Sequence, residues 1–233
     1  MAKVNLKRRA EIGREKSART RAQLIAAAHS LFARQAIESI TVDDVVKEAG
    51  VAKGTFYVHF EDLRALTLAA GDELVRTFDE LLQPARFSID DPVLRIAFGC
   101  NAFIETALEK PPWGIVVARM ARSVASVGKI ARRRLLEDLR EFSKEMPQGR
   151  IAISPDLSQE LVLGIILQLL SAFGEGRLSA SDREGAIGAI LRAIGVSGPR
   201  VRSTMARLAR MERELARPID GLRQELGRGP AVR

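Results

Sequence analysis

The stretch Thr41–Phe60, TVDDVVKEAGVAKGTFYVHF, decides how the chain is read. Thr41 is a residue type that caps helix N-termini, and Asp44 three positions on completes a loose capping box. Val42, Val45, Val46 and Ala49 recur at helical spacing and give one apolar face. Gly50 stands where a left-handed C-terminal cap needs a residue without a Cβ. Val51 and Ala52 then turn the chain into a second short helix, predicted from Lys53 to Phe60. Helix, glycine turn and helix make a helix-turn-helix, although an ordinary helical corner fits the same spacing.

The second helix has two usable faces. Phe56 and Phe60, four residues apart, anchor it in a small core. At about 100° per residue, Gly54, Thr55 and Val58 point away from that anchor, with Tyr57 and His59 on the flanks. This suits a helix lying in a DNA major groove, its outward residues on base edges and its flanks on phosphates. Lys53 adds positive charge in the first turn, where free backbone N–H groups already favour phosphate. Val58 is an apolar residue on a solvent-facing position, and a thymine methyl is its natural partner.

The run from about Arg19 to Leu66 resembles the DNA-binding domain of TetR-family transcriptional regulators. The matching residues are Ala28-His29-Ser30-Leu31-Phe32, Thr41 to Val45, Ala49 to Phe60, and Leu66. The resemblance implies an all-α chain with an N-terminal three-helix DNA-binding domain and a C-terminal helical domain that binds a small ligand and dimerises. It implies DNA contacts from Thr41, Lys53, Gly54, Thr55, Tyr57, Val58 and His59. The family typically places a phosphate-contacting lysine at the position of Leu63, and Arg64 is the neighbouring cation here.

Working outward, glycine and proline punctuate helical patterns and no alternating β pattern occurs. Helices are predicted over about 20–35, 42–49, 53–60, 63–83, 92–109, 113–125, 128–145, 158–173 and 183–195, the fourth stopping at Pro84. Residues 1–18 read as a basic mobile arm, 19–66 as the DNA-binding domain, 67–198 as the ligand-binding and dimerisation domain. Residues 199–233 read as a basic amphipathic extension in two segments, 200–216 and 218–226, packed on the ligand domain. Its apolar seam is Val201, Met205, Leu208, Leu215, Ile219, Leu222 and Leu226.

Two regions have apolar residues on more than one face. Leu161 to Phe173 is apolar nearly all round, and 183–195 carries an alanine stripe beside an isoleucine-leucine stripe. Two stripes need two packing partners, so a symmetric contact between two chains is predicted through Leu161, Ile165, Leu169, Ala186, Ala189 and Ala193. Phe98, Phe103, Trp113, Met120 and Phe142 are candidate lining for the ligand pocket.

The chain has 233 residues, 46% apolar and 28% charged, enough for a sizeable core. Aromatics are only 5%, so that core is mostly aliphatic. The single cysteine, Cys100, excludes an intramolecular disulfide and any multi-cysteine metal site, and reads as a buried, inert thiol. His29 and His59 are too few for a histidine metal site or triad; His29 reads as a surface residue. No G-x-S-x-G elbow or P-loop occurs, so neither an enzyme nor a cofactor is expected. The most apolar run, 161–173, is short of the roughly 18–20 residues a bilayer span needs. No stable membrane insertion is expected, and the cytoplasm is the expected compartment.

Net charge is +8, concentrated at the ends: eight Lys/Arg against two Glu in 1–21, nine Arg against four acids in 200–233. Basic ends on a near-neutral body suit a polyanionic partner, double-stranded DNA first. The reading is a homodimeric repressor on a roughly palindromic operator, released by a small-molecule effector. The alternative is an effector-independent, architectural DNA-binding protein.

Overall fold

Among the described residues of this computed structural model, 2–123, 128–146 and 153–214, every regular element is helical. The order is α1 (Ala2–Arg34), α2 (Val42–Ala49), α3 (Lys53–His59), α4 (Leu63–Phe87), α5 (Pro92–Glu109) and α6 (Pro111–Ser123). It continues with α7 (Lys129–Lys144), α8 (Pro155–Gly174), α9 (Arg183–Ala193) and α10 (Gly198–Glu214). The chain divides into two units, the first ending at Ala70 and the second beginning at Gly71. That division lies inside α4.

In the first unit, α1 contributes Leu24, Ile25, Ala28, Leu31 and Phe32 to a core completed by Ile40, Val45, Phe56, Phe60 and Leu66. The segment expected as a mobile arm is instead helical from Ala2, and the first helix does not wait for Thr20. Alanine, arginine, lysine and glutamate are strong helix formers, and they extend the packed part of α1 without an apolar face of their own. Thr20 donates its hydroxyl to the Lys16 carbonyl one turn back. His29 is half-buried rather than a plain surface residue, its Nε2 3.0 Å from the Ala70 carbonyl oxygen.

In the second unit, α5 is the most buried helix; α6, α7 and α9 pack on both α5 and α8, and α10 packs on α5 and α9. The α6–α8 contact is close because Gly114 and Gly174 carry no Cβ. One built at Gly114 would lie 3.1 Å from the Leu170 oxygen of α8, and one at Gly174 would lie 2.8 Å from the Pro111 oxygen of α6. Helix α8 begins at Pro155, before the apolar run, with Ser154 capping it by accepting from the Leu157 N–H. At 20 residues it is long and apolar enough to cross a membrane by length and composition, unlike the shorter run read from sequence. In this fold it packs against α5, α6, α7 and α9.

Helix α4 does not stop at Pro84 but runs through it to Phe87. The proline removes the N–H that would bond one turn back and crowds that carbonyl, a local cost that the helix absorbs in its last turn. Beyond it, Arg86 is fixed by Asp138 and by the Arg134 carbonyl of α7. The C-terminal extension begins as α10, which buries Val201, Thr204 and Leu208 and packs on α5 and α9. Arg200 and Arg207 both reach Asp91, the N-cap of α5, at 3.3 and 2.6 Å. The predicted second segment, 218–226, lies outside the described residues.

Candidate DNA interface and ligand pocket

Local chemistry sets the two helices of the motif. Thr41 accepts from the Asp44 N–H at 3.2 Å, and Asp44 in turn accepts from the Thr41 N–H at 2.9 Å. The Thr41 hydroxyl and then the Thr41 N–H, both donating to the Asp44 carboxylate, hold that carboxyl below its ordinary range. Gly50 takes φ 65° and ψ 34°, the left-handed cap, and its N–H returns to the carbonyls of Val46 and Lys47. Extended Ala52 then launches α3.

Phe56 and Phe60 are buried as the anchor, their ring centroids 5.9 Å apart. Arg21 of α1 lies over the Phe60 ring at 5.1 Å. On the opposite side Tyr57 is 54% and Val58 77% exposed. Gly54 and Arg64 are exposed, while Thr55, His59 and Leu63 are half-buried. Lys53 forms an ion pair with Asp43 of α2 at 2.9 Å, and that bond raises its pKa. Thr41 is exposed, but its hydroxyl is turned into the cap and donates to Asp44 at 2.6 Å. The Thr41 hydroxyl is therefore engaged in the cap in this structure.

The second unit holds a cavity of about 130 Å³ between α4, α5, α6, α7 and α8. Phe78 and Phe103 stand on its wall with centroids 4.3 Å apart. Its walls are mainly aliphatic, but six charged residues join them: Asp79, Arg86, Arg95, Arg132, Arg134 and Asp138. Asp138, fully buried, accepts from Arg95 Nε at 2.7 Å and also from Arg86. Asp79 pairs with Arg134. Burial opposes the charge of Arg95, but Asp138 and Glu141 outweigh it and hold its pKa above the ordinary range. Cys100 also faces the cavity, and burial pushes its thiol up to about 12, which leaves it protonated and inert.

Of the predicted pocket residues, Phe98 and Phe103 line this cavity. Trp113, Met120 and Phe142 do not: all three are buried in the packing around it. Trp113 backs the aromatic wall, 5.2 Å from Phe78 and 5.8 Å from Phe103 by ring centroids. Phe142 sits beneath the Arg200 guanidinium at 5.5 Å. Apolar character alone cannot separate lining from core, so the sequence does not distinguish these three from Phe98 and Phe103. The charged lining was missed for the opposite reason, since arginines and aspartates on helices are ordinarily solvated. The available signal was Asp138 among Leu135, Leu139 and Phe142, a carboxylate on the apolar face of α7.

The comparisons agree on one relationship. The family model for bacterial regulatory proteins of the tetR family matches residues 24–70. An uncharacterized HTH-type transcriptional regulator of Haemophilus influenzae is 32% identical over 91 residues, 39% of this chain and 44% of the relative. The HTH-type transcriptional regulator TtgR of Pseudomonas putida is 37% identical over 68 residues, 29% of this chain and 32% of the relative. The structure of RolR with resorcinol is similar at 26% identity and a TM-score of 0.56, over 83% of this chain and 96% of that one. Residues 24–70 thus carry a DNA-binding domain of the TetR family. This is a family of DNA-binding transcription factors, not of enzymes. The TetR fold is shared with FadR of Bacillus subtilis solved with stearoyl-CoA, 17% identical with a TM-score of 0.59, over 72% of this chain and 96% of FadR. The matched segments span less than half the length of the curated TetR-type relatives.

Helices α8 and α9 each bury one face and leave another partly exposed among the described residues. Val162, Ile166, Leu170 and Phe173 are buried, whereas Leu161, Ile165 and Leu169 are half-buried and Leu157 is exposed. On α9, Ile187, Ile190 and Leu191 are buried. Ala186 and Ala193 are half-buried, and Ala189 is exposed.

Proposed function

We propose that this protein is a homodimeric, sequence-specific transcriptional repressor of the TetR family whose operator affinity is lowered by a small molecule bound in the α4–α8 cavity. The observation that carries the DNA-binding part is the anchoring of α3: Phe56 and Phe60 hold it while Tyr57 and Val58 stay in solvent. An apolar side chain as exposed as Val58 has a reason in a major groove, beside a thymine methyl. Lys53, Tyr57, His59 and Arg64 supply phosphate contacts around it, and the basic N-terminal half of α1 adds further positive charge. The uncovered faces of α8 and α9 support self-association, which would present two recognition helices to a roughly two-fold site. The cavity supports an effector, whose differential affinity for two arrangements of the dimer would shift operator binding.

Tyr57→Ala tests the recognition helix. Its ring packs edge-on against Phe56 but is mostly exposed, so the fold should persist. Operator affinity, measured by fluorescence anisotropy on a selected DNA fragment, should fall roughly 10- to 100-fold. Unchanged affinity with an intact fold would remove α3 from the interface.

A further inference from the structure

The cavity lining itself holds more cations than anions. Its lining has four arginines and two aspartates. Asp138 is shared by Arg86 and Arg95, Arg95 pairs also with Glu141 outside the lining, and Asp79 is taken by Arg134. Arg132 pairs instead with Glu160 at 4.0 Å, the outer limit of an ion pair. The Glu160 side chain is 71% exposed and that of Arg132 only 25%. The carboxylate is therefore solvated and screened, while the Arg132 side chain is mostly buried along the cavity wall. A mostly buried cation with so loose a counter-charge favours an anion that can enter the same site.

Size and wall chemistry narrow the ligand. About 130 Å³ is close to a cavity that accommodates a single benzene ring. Phe78 and Phe103 offer ring faces and edges for an aromatic body. Guanidinium matches a carboxylate through two parallel charge-assisted bonds. Resting on the reading of this cavity as the effector site, we propose that the effector is a compact aromatic monocarboxylate whose acid group pairs with Arg132.

Equilibrium dialysis of the full chain with benzoate, 4-methylbenzoate and 4-ethylbenzoate, each against its neutral amide, tests this. The acids should bind at least about tenfold tighter than the amides, the scale of one charge-assisted contact. Arg132→Gln should bring the acids down to the amides while leaving amide binding unchanged. Glu160→Gln should retain the preference for acids. If Arg132→Gln does not fold, Arg132→Lys decides: it keeps the charge but loses the fork, and acid affinity should drop several-fold. Amides binding as tightly as acids, or a preference that survives removal of the guanidinium, overturns the carboxylate while leaving the effector site standing. Binding of neither series to the folded wild type overturns both.

Discussion

Asp138→Asn is the sharpest probe of what holds the second unit together. The substitution keeps the shape of the side chain and removes its charge. Asp138 accepts from two arginines whose side chains are 18% and 14% exposed, Arg86 of α4 and Arg95 of α5. The two losses are unequal. Arg95 keeps Glu141 and the carbonyls of Ile89 and Asp90, at 2.9 and 2.8 Å. Arg86 keeps the Arg134 carbonyl at 3.3 Å. Breaking a buried pair costs roughly 3–5 kcal/mol when a charge is stranded, so with Arg95 still supported the expected loss is about 2–4 kcal/mol. In a chain of this size that lowers Tm by roughly 5–15 °C. Urea unfolding followed by tryptophan fluorescence reads the second unit alone, because Trp113 is the single tryptophan and lies in its core. The midpoint should fall with an unchanged slope. Adding Arg86→Met should recover part of the loss, since it removes the stranded cation. A loss below about 1 kcal/mol would put the pair on the scale of exposed ion pairs and refute the reasoning.

Asp91 gives a pH dependence with a definite sign. Burial raises its pKa, but the N–H groups of Leu94 and Val93 and the Arg200 guanidinium more than offset this, so the folded value lies below the ordinary one. Its contribution is thus complete above the aspartate range and lost as pH falls through the folded value. Wild type should lose stability on acidification below about pH 5, and Asp91→Asn should be less stable at neutral pH but flatter across that window; parallel Tm–pH curves would show that Asp91 contributes nothing to it. Ala189 is exposed in this chain, so Ala189→Glu should leave the protomer folded yet break a dimer formed through α8 and α9. Light scattering that still shows an intact dimer would place the interface elsewhere.

What could be read in advance was local. The capping box, the left-handed Gly50 and the Phe56–Phe60 anchor each close within a few residues, so spacing and residue type carried them. The alanine stripe of α9 was legible too, because helical periodicity separates its faces. The start of α1 was not, since a helix without an apolar face differs from a charged arm only through propensity, and the first residue of the packed stripe is Leu24. The cavity was least legible because its polar pairs join residues 43 to 55 positions apart. Arg132, Arg133 and Arg134 look alike as a run, yet the helix sends them to three environments. Arg134 turns inward to Asp79, and Arg133 stays in solvent beside Glu137. Arg132 lines the cavity with its counter-charge out in water. At about 100° per residue, three consecutive identical side chains cannot share one face, so the run had to be divided. Which arginine would lack a close carboxylate depended on where α4 and α8 placed Asp79 and Glu160, and no spacing within α7 encodes that.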